Sequence, residues 1–217
     1  MTFCSDIDLL HWEPNIFRDA AFASQLLLAG TGDLSGTTFT AAGAPLIDAH
    51  IAADQVIVLS GALAGSYPIL SVDSASQLTL SVMYDGLFPD SGPATPTPAG
   101  SAAGLSFAIR TFFPQRRLVS SIMLRAAGIG AETDAPATAQ IVNTEALRRP
   151  CVLGTLQMIY NALAAASTDP AELNIRAELY QRLYRRALGH TIAEIDLDGD
   201  GKAELVRRLG SLEMLRV

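Results

Sequence analysis

The hydrophobic pattern changes period near Thr111, and this limits the fold more than any other feature. Before it, apolar residues come in short β-branched or alternating runs: Gln55-Val-Ile-Val-Leu59, Tyr67-Pro-Ile-Leu-Ser-Val72 and Gln77-Leu-Thr-Leu-Ser-Val82, with further strands at 37–40 and 105–110. Leu78, Leu80 and Val82 alternate with Thr79 and Ser81, which predicts a half-buried strand. Turn-forming residues punctuate the runs at Ser60-Gly61, Ala64-Gly65-Ser66 and 73–76. Five or six short strands with tight turns predict a small antiparallel barrel or sandwich, because closure removes exposed strand edges. Gly30-Thr-Gly-Asp-Leu-Ser-Gly36 lacks both the lysine and the spacing of a phosphate loop and reads as a turn.

Beyond Thr111 the spacing becomes helical. A helix over 115–127 carries Leu118, Ile122, Leu124 and Ala126 and stops at Gly128; a polar loop then covers 128–143. Val152, Leu156, Ile159, Tyr160 and Leu163 recur at three- and four-residue steps, the apolar stripe of a second helix. That helix either starts near Pro150 or begins at Glu145 and is kinked at the proline. Asp169-Pro-Ala-Glu172 predicts the next start, with Asp169 accepting from first-turn amides and Pro170 at the first helical position. The third helix is expected to bury Leu173, Ala177, Tyr180, Tyr184 and Leu188, to pair Glu172 with Arg176 and Glu178 with Arg182, and to close at Gly189. The runs 191–195 and 204–206 then flank an acidic turn as a short β-ribbon. The fold class is therefore α+β: an N-terminal antiparallel β domain over 1–110, followed over 111–217 by a helical bundle with a terminal β-ribbon.

Between the last two strands, residues 89–104 hold four of the eleven prolines and almost no apolar bulk, so they read as a projecting loop. Hydrophobic residues make up 49% of the 217 and charged residues 17%, which excludes global disorder. The longest apolar runs fall far short of the ~20 residues a membrane span requires, and 1–8 lacks the basic start and apolar core of a signal peptide. Two cysteines, Cys4 and Cys151, cannot build a disulfide framework, so reduced thiols and a buried, structural Cys151 are expected.

Charge is uneven along the chain. Residues 1–104 hold ten acids against one base, Arg18, whereas 105–217 hold twelve acids and fourteen bases, for a formal net charge of −7. An acidic first half argues against wrapping nucleic acid, which needs clustered cations to displace counterions. All bases but Lys202 are arginine, the residue suited to bidentate contacts at interfaces.

One motif carries metal chemistry. Asp196-Leu-Asp-Gly-Asp-Gly-Lys202 points three carboxylates, Asp196, Asp198 and Asp200, into a turn that Gly201 permits. An EF-hand needs a bidentate glutamate at loop position twelve, which here is Arg207. A nine-residue calcium loop of the kind found in integrin propellers uses position nine instead, which is Glu204. Two readings stay open: a Ca²⁺ site of Asp196, Asp198, Asp200 and Glu204, or an Asp/Gly hairpin turn held by side-chain to backbone bonds and by Arg207 or Arg208. No other cofactor is implied. His11, His50 and His190 lack metal-ligand spacing, and no nucleophile and base converge, so an enzyme is not expected.

The segment Thr155-Leu-Gln-Met-Ile-Tyr-Asn-Ala-Leu-Ala-Ala165, the helix Glu178-Leu-Tyr-Gln-Arg-Leu-Tyr-Arg-Arg-Ala-Leu188 and Ile195-Asp-Leu-Asp-Gly-Asp-Gly201 running into Arg207-Arg208-Leu209 resemble the head–tail connector (adaptor) proteins of tailed bacteriophages. The β half, from Leu26 through Thr40 and on to Leu80, is similar to small β-modules of phage particles, here as an N-terminal addition. The resemblance implies a structural virion protein: a ring, usually of twelve copies, that docks on the portal protein, receives the next neck or tail protein and lines the DNA channel without binding DNA specifically. It implies a place in the virion neck, reached from the host cytoplasm during assembly. Because the last segment of a connector commonly reaches the portal, it also implies that Arg207, Arg208, Leu209, Leu212, Leu215 and Arg216 make that contact. Acidic walls suit a channel through which DNA slides, and Asp48 and Asp54 are the candidates to line it. Rival readings are another neck or tail part, such as a terminator or decoration protein, and a calcium-dependent scaffold module.

Overall fold

The computed structural model describes residues 2–41, 43–84, 95–130 and 140–210. The chain is mixed α and β and divides into two units, Ser5–Phe112 and Met1–Cys4 with Phe113–Val217. The first unit contains helices α1 (Asp6–Trp12) and α2 (Ile16–Asp19) and strands β1 (Leu26–Gly36), β2 (Thr38–Thr40), β3 (Val56–Ser60), β4 (Gly65–Val72), β5 (Gln77–Leu80) and β6 (Gly100–Arg110). The six strands close into an antiparallel barrel in the order β1-β2-β5-β4-β3-β6. Closure gives every strand of the ring a hydrogen-bonded neighbour on each side. Phe39, Ile57, Leu59, Ile69, Leu78, Leu80, Phe107 and Ile109 fill the interior. Phe39 and Phe107 meet edge-on with ring centroids 5.3 Å apart, a favoured aromatic geometry.

Residues 30–36 form the second half of β1 and are not a turn. Gly30 and Gly32 make room for aromatic rings, whereas Gly36 has a φ of +64° and nothing within 4 Å of an added Cβ. A Cβ on Gly32 would lie 2.5 Å from the Phe39 ring and 2.6 Å from the Thr40 carbonyl oxygen, and one on Gly30 would lie 3.1 Å from the Phe107 ring. A glycine inside a strand marks such a close approach. The proline-rich segment is also shorter than its composition suggests, since 100–104 already belong to β6; residues 85–94 lie outside the described residues. Strand β5 ends at Leu80, so Ser81 is buried, accepting from the Thr97 amide at 2.9 Å and donating to the Val82 carbonyl at 2.9 Å.

Helices α1 and α2 precede β1, in a stretch where the sequence pattern predicts none. Helix α1 is started by a capping box, in which the Asp8 amide donates to Ser5 Oγ at 3.2 Å and the Ser5 amide to Asp8 Oδ2 at 2.7 Å. Buried Asp6 accepts from Thr111 Oγ1 at 2.6 Å and from the Phe112 amide at 3.1 Å, tying α1 to the end of β6.

The second unit contains α3 (Phe113–Ala126), β7 (Gln140–Ile141), α4 (Thr144–Ala166), α5 (Ala171–His190), β8 (Ile192–Asp196) and β9 (Leu205–Arg208). Strand β8 pairs antiparallel with β7 on one side and β9 on the other. Helix α4 is the centre, packed by α3 and α5, and it begins well before Pro150, which falls inside it. Gly154 allows both neighbours to close in: an added Cβ would sit 2.9 Å from Val119 of α3 and 3.0 Å from the Tyr184 ring of α5. Tyr160 and Tyr180 stack at 5.5 Å, with the Arg176 guanidinium over Tyr160.

Three expectations about the helix ends and faces are corrected. Asp169 does not cap α5: Pro170 is the N-cap residue and its carbonyl accepts from the Asn174 amide, while the Asp169 amide donates to Ser167 Oγ. Gly189 does not close α5, which continues to His190; the close approach there depends on Gly210, where an added Cβ would lie 2.5 Å from the Gly189 Cα. Helix α3 buries Arg116, Val119, Ser120 and Met123, so Leu118 and Ile122 lie on its outer face. On α5, Ala177 and Tyr180 are buried, while Leu173, Tyr184 and Leu188 are half-buried.

Candidate metal centre

The acidic motif falls between β8 and β9. Strand pairing places Asp196 at the last residue of β8, opposite Gln140 of β7, where its side chain is fully buried. A buried carboxylate must be hydrogen-bonded, and here the turn supplies the donors. Asp196 Oδ1 accepts from the amides of Asp198 (3.1 Å) and Gly199 (2.6 Å), and Oδ2 from the Gly201 amide (2.7 Å) and Gln140 Nε2 (3.4 Å). Gly199 and Gly201 have φ of +87° and +85°, the left-handed backbone that turns those amides inward. Burial pushes the Asp196 carboxyl up, but the Gly199 and Gly201 amides, with Gln140 and the Asp198 amide, outweigh it and hold it below the usual carboxylate range.

The other acids repeat the pattern one step on. Asp198 Oδ1 accepts from the Asp200 amide at 3.1 Å and Asp200 Oδ1 from the Lys202 amide at 2.8 Å. Glu204 Oε2 reaches back to the Leu197 amide at 2.6 Å. Carboxylate oxygens of Asp196, Asp198, Asp200 and Glu204 all lie within 4.8 Å of one another, and these residues are the one such group of metal-ligating side chains among the described residues. The donor set is four hard oxygens, which suits Ca²⁺ or Mg²⁺ and not a thiophilic metal. The structure thus brings together all four residues singled out in the sequence. Lys202 Nζ lies 3.4 Å from Asp200 Oδ2, both side chains exposed.

The closing segment is partly engaged within its own unit. Arg207 Nη1 donates to the Ala127 carbonyl at 3.3 Å, and buried Leu209 donates its amide to Thr191 O at 3.0 Å. Arg208 is exposed. Leu212, Leu215 and Arg216 lie outside the described residues.

One feature was not found in the sequence. Between the start of α4 and the end of α5, a half-open groove of about 670 Å³ is lined by Arg149, Pro150, Leu183, Arg186, His190 and Ile192, among others. Its cations lie about 40 residues apart along the chain and meet only because α4 and α5 run side by side. Among the described residues, no helix is long and apolar enough to cross a membrane. Comparison with family models, with curated proteins and with solved structures finds no match.

Proposed function

We propose that the chain is a structural adaptor of a tailed-phage neck, forming a ring that joins the portal to the next neck or tail protein and lines the DNA channel. The observation that carries this reading is the apolar side chains left in rows on two helices. Leu118 and Ile122 of α3 are 45% and 42% exposed, and Ile175 and Leu179 of α5 are 66% and 43% exposed. Each pair is spaced by four residues, so each makes a continuous patch on one helix face. Patches of this kind mark surfaces that are covered in an assembly. A ring needs two different surfaces per copy, meeting head to tail, and α3 and α5 offer two.

Charge supports the same reading. The barrel unit holds ten acids against Arg18 and Arg110, with Asp48 and Asp54 both exposed. An acidic wall repels the DNA backbone and favours passage over sticking. On this reading the protein performs no reaction. Portal docking is assigned to the closing segment, now centred on Arg208, Leu212, Leu215 and Arg216, because Leu209 is buried in its own unit. The test is co-sedimentation of the full chain with a portal protein, beside a variant ending at Gly210. A complex with the full chain and none with the shortened chain, at unchanged circular dichroism, is the expected result. No complex with the full chain contradicts the adaptor reading; an undiminished complex with the shortened chain contradicts the tail assignment.

The four clustered carboxylates favour a second reading, a calcium-dependent scaffold module. Asp196, Asp198, Asp200 and Glu204 would hold the ion, which would fix the β8–β9 turn by charge neutralisation. Titration calorimetry separates the two. Micromolar Ca²⁺ binding with a large thermal shift promotes the calcium reading, and no heat of binding at millimolar Ca²⁺ removes it.

A further inference from the structure

We propose that Cys4 and Cys151 form an intramolecular disulfide when the protein meets an oxidising thiol–disulfide buffer, so that the segment before α1 is covalently stapled to α4. The inference is independent of the adaptor reading. It starts from position: Cys4 and Cys151 are 147 residues apart in sequence, yet their sulfurs are 2.9 Å apart. That is closer than nonbonded carbons sit, about 3.5–4.0 Å, and only about 0.9 Å beyond the bonded distance of roughly 2.05 Å. Both residues belong to the helical unit, and both are buried.

The Cys151 sulfur is set among polar groups, and its thiol can also donate to the Arg116 carbonyl oxygen at 4.0 Å. The Cys4 thiol donates to the Cys151 sulfur, and Ser120 Oγ lies 3.4 Å away. The Phe3 amide donates to Ser120 Oγ at 3.1 Å, so the hydroxyl bridges the Phe3 backbone and the Cys151 sulfur. Buried Arg116 donates Nη1 to the Cys4 carbonyl at 2.7 Å and places its positive charge beside the pair. The Cys4 contact, helped by Ser120, the Phe3 amide and Arg116 and opposed by burial, draws the Cys151 thiol below its ordinary range. Burial first, and then negative charge on Cys151, pushes the nearby Tyr184 hydroxyl up to about 12.

The chemistry is thiol–disulfide exchange with a small-molecule disulfide such as oxidised glutathione. The Cys151 thiolate attacks one glutathione sulfur, forming a mixed disulfide and expelling one glutathione thiolate. Cys4 then loses its proton to solvent, and its thiolate attacks the Cys151 sulfur, expelling the second glutathione. The two cysteines give up two protons and two electrons, and one glutathione disulfide becomes two thiols. Because both sulfurs are buried, the oxidant enters only when residues 2–5 lift away. The Phe3–Ser120 and Arg116–Cys4 bonds oppose that opening, so the reaction is expected to be slow in folded protein and faster in mild denaturant. The bond closes a loop running from residue 4 to residue 151, a span that includes the whole Ser5–Phe112 unit.

The experiment uses the full chain, incubated with oxidised glutathione or with a reductant, then analysed by intact mass and peptide mapping. The expected result is a mass loss of about 2 Da from the two departing hydrogens, a peptide linking Cys4 to Cys151, and a Tm higher by on the order of 10 °C in the oxidised form. Cys151→Ala and Cys4→Ala should each abolish the linked peptide and the reductant-dependent Tm difference. Two free thiols after prolonged incubation in mild denaturant, a stable glutathione adduct on one cysteine, or a disulfide between two chains each overturn the proposal. The wild-type readout alone is decisive if either variant fails to fold.

Discussion

Replacing Gly32 by alanine tests how the barrel is packed. The backbone at Gly32 is not left-handed, so alanine costs nothing there in conformation, and the stiffer residue contributes about 0.5–1 kcal/mol towards folding. Against this stands the new methyl group, 2.5 Å from the Phe39 ring and 2.6 Å from the Thr40 carbonyl oxygen. The ring is fully buried and the carbonyl is backbone, so neither can swing aside. Relief requires β2 to move off β1. Overpacking of this sort costs about 1–3 kcal/mol, and each ladder hydrogen bond loosened adds about 1 kcal/mol. The net expectation is a loss of about 2–3 kcal/mol, which for a unit of roughly 100 residues lowers Tm by about 10 °C. Trp12, the single tryptophan, lies in the barrel unit, so its fluorescence during urea or thermal unfolding reports on that unit. Gly104→Ala is the control: its φ of +67° is left-handed but nothing lies within 4 Å of an added Cβ, so about 1 kcal/mol is expected from the backbone alone. A Gly32→Ala protein as stable as wild type, or more stable than the Gly104→Ala protein, refutes the reasoning.

At Gly154 alanine is favoured by about 1 kcal/mol of helix propensity, but its Cβ meets Val119 and Tyr184 at 2.9 and 3.0 Å; a net loss of about 1–2 kcal/mol is expected in urea denaturation, and a gain contradicts the α3–α4–α5 packing. Asp196 has a folded pKa below its unfolded value of about 3.9, so its contribution to stability is complete above that value and is lost as pH falls through the folded pKa. The amide NMR signals of Gly199 and Gly201 should therefore hold their positions from neutral pH down to about pH 4 and move only below it; movement around pH 6 contradicts the assignment. Substituting Leu118 and Ile175 together by glutamate should leave Tm within a few degrees, because both are exposed, while abolishing self-association in analytical ultracentrifugation. Undiminished association places the interface elsewhere.

What could be read in the sequence was what is local. Val56–Ser60 and Gln77–Leu80 carry their strand pattern in consecutive residues, and the acidic turn is legible because its four carboxylates fall within nine consecutive positions. Strand β1 was hidden by glycines whose purpose is two phenylalanines elsewhere in the chain, Phe39 and Phe107. Helix α1 had a readable signature, Ser5-x-x-Asp8 ahead of an apolar run, but seven residues carry little periodicity. The buried face of α3 is not legible in its sequence, because Arg116 and Ser120, polar by type, point inward at Cys4 and Cys151. The Arg149–Arg186–His190 groove and the thiol pair are both products of tertiary packing, and no window of sequence contains either.

Negative-stain imaging of the purified protein, alone and mixed with a portal protein, tests the proposed assembly most directly. Closed rings of one fixed diameter, capping portal particles when the two are mixed, are the expected outcome. Particles that stay single-copy at every concentration, and portals that remain bare beside them, contradict it.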